Sequence, residues 1–252
     1  MLGLAAVYLG LLMMLPWLSS REPPRPRDRT DLAYWLISPL FTGPIARAST
    51  LGAYGLLGFA RGQVVRDDFC LLPSACEALR LLGAAQLPLA LLLADLLGYL
   101  SHRARHHLFW RFHALHHAPR DLRASSAARM HPIDEIADAL FIGLILLVAG
   151  FDWWTLAALG PITLLYTLIT HADVPWAFGP LGRVLVSPRM HRWHHDRGRG
   201  ADAAVNFAGI FALWDVLFGT FYLPDAGPAE VGTDEEAPRS LWAQLVAPFD
   251  PR

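Results

Sequence analysis

The sequence LLGAAQLPLALLLADLLGYLSHRARHH, residues 81–107, joins a long apolar run to a cluster of basic residues and histidines. Between residues 81 and 100 only Gln86 and Asp95 interrupt the apolar pattern. A helix of this length crosses roughly 30 Å of hydrocarbon. The stretch therefore predicts a transmembrane helix whose end carries histidines to the membrane surface.

The composition of the whole chain agrees with a membrane protein. Of 252 residues, 54% are hydrophobic and 17% are charged, and the mean hydropathy is +0.33. Two further apolar stretches, 136–151 and 153–170, predict a helical hairpin. The apolar residues 1–18 are interpreted as a membrane anchor in preference to a signal peptide, and 34–60 as one imperfect span or an interfacial segment. The predicted fold is all-α, a multi-pass transmembrane helical protein of about four to six spans.

The arginines predict the orientation of these spans. They follow the first apolar stretch, the third one and the hairpin, and the positive-inside rule assigns such segments to the cytoplasm. The arginines concerned are Arg21, Arg25, Arg27, Arg29, Arg103, Arg105, Arg111, Arg120, Arg123, Arg129, Arg183, Arg189, Arg192, Arg197 and Arg199. We therefore expect a histidine-rich helical cap on the cytoplasmic face, in what is best interpreted as a bacterial inner membrane.

Three regions are predicted along the chain: an N-terminal membrane anchor region, 1–80; a catalytic domain, 81–222; and a solvated tail, 223–252, rich in Pro, Gly, Asp and Glu at its start. A short amphipathic piece, 241–246, is expected to rest on the membrane or on the domain. Cys70 and Cys76 are too few for a disulfide framework or a thiolate cluster, and are predicted to be buried or incidental thiols.

All 11 histidines lie between His102 and His195, in clusters on either side of the predicted hairpin. The clusters read SHRARHH at 101–107, HALHH at 113–117 and HRWHH at 191–195. Spacings of three and four residues let one helix direct two imidazoles at a single point, and a doubled histidine lets the neighbour reach a second point nearby. The pattern thus predicts a site for two metal ions.

Imidazole ligands fit iron, copper, nickel or zinc. HExxH, which is typical of zinc proteases, is absent, and the Glu-x-x-His pairs of soluble di-iron bundles are replaced here by histidines. The alternative to a defined metal site is an unstructured run of histidines that binds metals nonspecifically. Trp110, Phe112 and Trp193 are interleaved with the histidines, and such residues pack in folded structure.

Five motifs together resemble the fatty acid hydroxylase/sterol desaturase superfamily of membrane di-iron oxygenases, over roughly residues 95–222. They are D-x-x-x-Y-x-x-H-R at 95–103, LFWRFHALHH at 108–117, HP at 131–132, SPRMHRWHHD at 187–196 and NFAGIFALWDVLFGTFY at 206–222. The three histidine boxes also fit membrane acyl desaturases, whereas the last motif favours the hydroxylase/sterol desaturase branch. The segment from His106 to Trp110 is about two residues shorter than the family pattern, so His106 and His107 are alternative ligands and His106 is assigned.

The resemblance implies a ligand set for two iron ions, consisting of His102, His106, His113, His116, His117, His131, His171, His191, His194 and His195. Several acidic residues are candidates for orienting these imidazoles: Asp95, Asp134, Glu135, Asp138, Asp173, Asp196 and Asp215. Of these, Asp95, Asp134 and Asp196 are assigned, together with Tyr99. Because an ionisable group inside a span needs a partner, Asp95 is predicted to pair with Tyr99 or His102.

The function implied by the resemblance is O2-dependent hydroxylation or desaturation of a lipid C–H bond, the lipid being a sterol, a fatty acyl chain, a sphingoid base or a carotenoid. The implied cofactor is a pair of iron ions, with O2 as co-substrate. The expected partners are the lipid, the membrane and a separate electron donor of the ferredoxin or cytochrome type, and no nucleic acid. A membrane zinc hydrolase and a metal transporter are the alternatives.

Overall fold

A computed structural model describes residues 28–60, 70–201 and 203–250. Within these ranges the chain is helical and contains no strand, only an isolated antiparallel bridge between Asp196 and Val231. The all-α prediction is therefore confirmed. The expected N-terminal anchor, 1–18, lies outside the described residues.

The described residues form a set of α-helices joined by short π and 3-10 turns. In chain order the α-helices are α1 Asp28–Ile37, α2 Gly43–Ala60, α3 Pro73–Leu82, α4 Gln86–Leu108, α5 Trp110–His117, α6 Pro132–Asp138, α7 Leu144–Ala149, α8 Trp153–Thr170, α9 Pro188–His194, α10 Leu213–Phe218 and α11 Leu241–Val246. The shorter turns are Ser38–Thr42, Gly83–Ala85, Ala124–Ala128, Ala139–Gly143, Gly179–Arg183 and Ala247–Phe249.

Two helical segments among the described residues are long and apolar enough to cross a membrane. They are Pro73–Leu108, which comprises α3, a 3-10 turn and α4, and Trp153–Thr170, with mean hydropathies of 1.8 and 1.3. Leucines on the outer face of α4, such as Leu89 and Leu100, are exposed, as expected for contact with lipid. The predicted span at 81–100 lies within the first segment.

The predicted hairpin forms where the sequence placed it. Residues 132–149 are helical throughout, Gly150 adopts a left-handed conformation with φ of 100°, and the Asp152 carboxylate accepts a hydrogen bond from Thr155 N–H to cap α8. Leu146 and Leu159, one from each arm, pack with Ala90 of α4. This apolar cluster fixes the hairpin against the longest helix.

The region 34–60 is one nearly continuous helical segment, in which the π turn Ser38–Thr42 separates α1 from α2. Its inner face has small and polar residues four apart, and Thr50 donates a hydrogen bond to Ala139 O at 3.0 Å. The opposite face exposes Leu51, Leu56 and Phe59. This segment is not one of the two described segments that are long and apolar enough to cross a membrane, and the choice between an imperfect span and an interfacial helix stays a prediction.

Cys70 and Cys76 form a disulfide at the start of α3, with a Cα–Cα distance of 6.4 Å. The prediction of two incidental thiols is wrong, because spacing alone does not show that the turn before α3 brings the two side chains together. The disulfide lies beside the hairpin turn, where a Cβ on Gly150 would come within 2.7 Å of Cys76 Sγ. It therefore marks the end of the helical layer at which the hairpin turns.

Residues 224–250, here called the C-terminal strap, pack across the histidine-rich end instead of extending into solvent as a tail. Gly232 N–H donates to His195 O at 3.0 Å, and the Phe249 ring contacts the Phe112 ring at a centroid distance of 5.6 Å. Gln244 is 3% exposed. Composition indicated solvation, but the strap finds hydrogen-bond partners on the cap.

Candidate metal centre

Four segments deliver histidines to the end of the helical layer opposite the disulfide. The segments that converge there are the last turns of α4, the whole of α5, His171 directly after α8, and the end of α9. Because α4 and α8 both end at this point and α5 follows α4 directly, helix termini place the imidazoles. The hairpin is thus what returns the chain to the same face.

Five histidines form group 1, which consists of His102, His106, His113, His117 and His194. One ring nitrogen from each lies within 4.8 Å of those from the other four. His106 Nε2 and His194 Nε2 are 3.3 Å apart. Group 1 thus unites α4, α5 and α9 around one point.

Four histidines form group 2, which consists of His116, His171, His191 and His195, all of them buried. The Nε2 atoms of His171 and His116 are 3.4 Å apart, those of His191 and His171 3.2 Å, and those of His195 and His191 3.2 Å. Group 2 therefore unites α5, α9 and His171, the residue that follows α8.

The two doubled histidines divide between the groups. His117 and His194 belong to group 1, while their neighbours His116 and His195 belong to group 2. The rings of His117 and His195 stack across the boundary at a centroid distance of 4.3 Å. Two adjacent positions result, as the spacing of the doubled histidines predicted.

The arrangement fits metal ions. Two nitrogens bound to one ion at about 2.1 Å lie roughly 3 Å or slightly more from each other, close to the observed Nε2 separations. In group 2, the Nδ1–H groups of His116 and His171 donate to backbone carbonyls, so their Nε2 lone pairs face each other at 3.4 Å. In group 1, the buried Nε2 atoms of His102, His113 and His117 have no hydrogen-bond partner among the residues that the structure describes. A cation at each point satisfies these nitrogens.

The imidazoles are in the neutral form that binds metals. Burial, followed by the charge of nearby basic groups, holds the pKa of His117, His191 and His195 well below its usual range. The outer ring nitrogens of four histidines donate to backbone carbonyls and so fix the tautomer. These contacts are His102 with Phe207 O at 2.8 Å, His116 with Arg129 O at 3.2 Å, His171 with Thr167 O at 2.8 Å and His194 with Val205 O at 2.8 Å.

His131 lies outside both groups. Its Nδ1 accepts from Ile133 N–H at 3.2 Å, and its Nε2 donates to Leu245 O at 3.0 Å. A neutral imidazole has one lone pair, and here that pair caps α6, so none remains for a metal. The difference from the predicted ligand set arises because the sequence HP is also a helix N-cap followed by proline. His107 is exposed and lies outside both groups, whereas its neighbour His106 is buried and belongs to group 1.

Of the residues predicted to orient the ligands, Asp134 is the one beside an imidazole. Its Oδ2 is 3.4 Å from His113 Nδ1, and both side chains are buried. Asp196 lies in the turn after α9, where it accepts from Gly198 N–H and contacts Arg199, and within the described ranges it has no histidine partner.

Asp95 does not pair with Tyr99 or His102, so that prediction is wrong. Its carboxylate accepts hydrogen bonds from Ile210 N–H, Phe211 N–H and the Trp214 indole. A local sequence pattern indicates possible partners one or two turns along the same helix. It does not indicate partners that lie more than a hundred residues away in the chain. Tyr99 instead bonds to Thr220, with 3.0 Å between the two oxygens.

Two residues that the ligand-based reasoning did not assign hold the loop formed by residues 205–222, here called the closing loop. The Asn206 side-chain amide donates to Met190 O and Tyr222 O, and Asp215 accepts from Phe207 N–H and Ala208 N–H. The signal for them was the motif at 206–222, which carries these residues but gives no indication of the contacts that they make.

A cavity of about 520 Å³ adjoins group 1. It lies between α5, the turn after α9 and the C-terminal strap, and reaches His117 and His194. Its wall mixes apolar side chains such as Trp110 with charged ones such as Arg111 and Asp234. None of the group 2 histidines lines it.

Comparison with known proteins assigns the family. The model of the fatty acid hydroxylase family matches residues 87–220, which is more than half of the chain. This chain belongs to that family. The matched region contains all nine histidines of the two groups and most of the closing loop.

Curated relatives carry lipid-oxidising names. The chain is 34% identical over 169 residues to the ornithine lipid hydroxylase of Rhizobium tropici, an alignment that covers 66% of this chain and 51% of that protein. It is 31% identical over 125 residues to human alkylglycerol monooxygenase, covering 49% of this chain and 27% of that protein. For the Caenorhabditis elegans alkylglycerol monooxygenase the identity is 30% over 137 residues, covering 50% and 25%. The chain thus spans from a quarter to half the length of these relatives, and no solved structure matches it.

Proposed function

We propose that this chain is an integral membrane enzyme that uses O2 to hydroxylate a C–H bond of a lipid at two iron ions held by nine histidines. The observation that carries the proposal is the pair of adjoining histidine groups, in which eight of the nine histidines are buried and the ring nitrogens of each group converge on one point. Two metals at adjacent positions suit a reaction that transfers electrons to O2. Family membership and the names of the relatives support the same reaction class.

Iron is proposed because zinc has no redox chemistry, whereas imidazole-ligated iron supplies O2 activation when bound. In the overall reaction one oxygen atom enters the C–H bond and the other is reduced to water, with two electrons and two protons supplied through a separate donor protein of the ferredoxin or cytochrome type. The residues of this chain would keep the nine imidazoles neutral through burial and would orient four of them through backbone carbonyls.

Hydroxylation is favoured over desaturation because the relatives are named as hydroxylases and monooxygenases. The lipids in their names, an ornithine lipid and alkylglycerols, both join a polar group to a hydrocarbon chain. A lipid of that kind is therefore the proposed substrate class, in preference to a sterol or a carotenoid. The cavity beside group 1, with its mixed polar and apolar wall, is of a size and character that suit such a molecule.

We place the histidine-rich cap on the cytoplasmic face of a bacterial inner membrane, below a multi-pass helical layer of four to six spans. Arginines are concentrated near the histidines. The disulfide lies at the opposite end, and disulfides persist in oxidising compartments such as the periplasm. Both features favour the same orientation.

A metal transporter and a zinc hydrolase remain the competing functions. Transport sites lie near the bilayer midplane, while these histidines stand where the apolar helices end. A hydrolase needs neither iron nor O2. Metal identity and O2 dependence therefore discriminate among the three.

The test combines metal analysis with lipid analysis. Protein purified in detergent is compared with the double variant His116→Ala, His194→Ala, which removes one ligand from each group, and with His107→Ala, an exposed histidine outside both groups. We expect about two irons per chain in the wild type and in His107→Ala, and loss of iron in the double variant. Expressing cells grown under ¹⁸O2 should contain a lipid that is heavier by one ¹⁸O atom and is absent with the double variant. Stoichiometric zinc without iron after anaerobic reconstitution would contradict the proposal.

A further inference from the structure

Among the described residues, the closing loop accepts hydrogen bonds directly from group 1 imidazoles and from none of the group 2 imidazoles. Its backbone carbonyls at Val205 and Phe207 accept the Nδ1–H groups of His194 and His102, each at 2.8 Å. Both histidines are in group 1. The position of this loop therefore sets the direction in which two of the five group 1 imidazoles point.

Asp95 holds the closing loop against α4. Its Oδ1 accepts from Ile210 N–H at 2.8 Å, and its Oδ2 accepts from Phe211 N–H at 2.8 Å and from Trp214 Nε1–H at 3.1 Å. Gly209 permits this approach, because a Cβ there would lie 3.1 Å from Asp95 Oδ1. A carboxylate is suited to the position, since it presents only acceptors to three donors.

A second carboxylate acts at the start of the same loop. Asp215 accepts from Phe207 N–H at 2.8 Å and Ala208 N–H at 3.0 Å, and Thr220 Oγ1 donates to it at 2.6 Å. Tyr99 of α4 bonds in turn to Thr220. Phe207 is therefore held through its N–H while its carbonyl orients His102.

Group 2 takes its orientation from different elements. His171 donates to Thr167 O within α8, and His116 donates to Arg129 O. An ion pair with Asp31 of α1 holds Arg129, with 2.9 Å between Arg129 Nε and Asp31 Oδ1. Asp31 and Arg129 are 5% and 7% exposed, so this ion pair is buried.

We propose that Asp95 is a positioning residue for the group 1 metal and Asp31 a positioning residue for the group 2 metal, so that each metal position can be weakened separately. The inference rests on the metal centre of the proposed function. Within the described residues, neither carboxylate has a hydrogen bond or ion pair with a histidine. Asp31 acts through Arg129, whose carbonyl accepts from His116. Asp95 acts through the closing loop, whose carbonyls accept from His102 and His194. Loss of either should shift those imidazoles and lower the affinity at one position by about tenfold, the lower end of the range for outer partners of metal ligands.

The experiment measures metal binding at the two positions separately. Asp95→Asn, Asp31→Asn and Asp152→Asn are purified and titrated anaerobically with ⁵⁷Fe²⁺ for Mössbauer spectroscopy and with Co²⁺ as an optical probe. Asp152→Asn is the matched control, because Asp152 also accepts a backbone hydrogen bond but lies at the hairpin turn, away from the histidines. The wild type and the control should bind two ions with unchanged affinity, and each of the other two variants should have one weakened position.

Combination with ligand variants identifies the weakened position. Asp95→Asn should add nothing to His113→Ala, which already lacks a group 1 ligand, and should weaken the remaining ion in His191→Ala, which lacks a group 2 ligand. Asp31→Asn should give the opposite pattern. Equal weakening of both positions by Asp95→Asn, or two unchanged affinities, would overturn the inference.

Two milder variants cover the case in which Asp95→Asn does not fold, as judged by size-exclusion chromatography in detergent. Gly209→Ala crowds Asp95 without removing its charge, and Tyr99→Phe removes the bond to Thr220. Both should weaken group 1 and leave group 2 unchanged, and unchanged group 1 affinity in both would overturn the inference. Since Co²⁺ binding needs no redox chemistry, a protein that rejects iron would refute the proposed function while leaving this inference testable.

Discussion

Groups 1 and 2 share two helices and adjoin each other, yet they differ in what holds them and in what reaches them. Group 1 adjoins a cavity. Two backbone carbonyls of the closing loop, which follows the start of α4 by more than a hundred residues, accept hydrogen bonds from His102 and His194 of this group. Group 2 lines no part of that cavity and is oriented from α8 and from Arg129 beside α1. Similar clusters of imidazoles thus have separate supports, and the cavity reaches only group 1.

The largest effect is expected from removing a ligand on either side. His113→Ala should lose the group 1 ion and His191→Ala the group 2 ion, and both should reduce lipid hydroxylation below detection, because the proposed reaction uses both metals. Metal analysis and mass spectrometry of lipids measure the two outcomes. Full activity in a variant that retains one ion would show that the groups are not a single centre.

A smaller effect is expected at Asp134, the buried carboxylate 3.4 Å from His113 Nδ1. Asp134→Asn should weaken metal binding at group 1 by roughly tenfold or more, because the imidazole loses an anionic partner. Group 2 affinity should stay unchanged. Asp173→Asn, which alters an exposed carboxylate that pairs with Arg192, is the control.

The cavity leads to a prediction about metal removal. A chelator should remove the group 1 ion severalfold faster than the group 2 ion, since the cavity reaches His117 and His194. The decay of the Co²⁺ absorption should therefore have two phases, and only the slow phase should remain in His113→Ala. A single phase in the wild type would mean that both positions are equally accessible.

The smallest effect is expected from Tyr99→Phe, which deletes one hydrogen bond in the support of the closing loop. It should lower the free energy of unfolding by about 1 kcal/mol, the usual value for one hydrogen bond. Thermal unfolding in detergent measures the change. Thr155→Val, in the first turn of α8 at the hairpin end, tests whether a threonine hydroxyl away from the closing loop has any comparable effect.

The clustering of the histidines was predictable because its signal is local. The spacing in HALHH and HRWHH places neighbouring imidazoles on different sides of one helix end, and both doublets do divide between the groups. His131 shows the limit of the same reasoning. Its sequence context, HP, fits a ligand and a helix cap equally well, and only the contacts with Ile133 and Leu245 distinguish them.

Partners distant in sequence were not predictable. Asp95 was recognised as needing a partner because it interrupts an apolar helix, but its actual partners lie in a loop whose approach depends on the packing of α4. The disulfide between Cys70 and Cys76 and the packing of the C-terminal strap were missed for a related reason. The composition of a segment indicates how polar its average surroundings are. It does not indicate which other residues the segment packs against.

By itself, the sequence determined the helical class, the apolar segments and the presence of enough imidazoles at helical spacing for two metals, because these follow from short-range periodicity and composition. The tertiary structure decided which histidines form each group, which carbonyls orient four of the rings and which group meets a cavity. Those features depend on where helix ends and loops meet in space, and contacts between residues as far apart as Asp95 and Phe211 have no local sequence pattern.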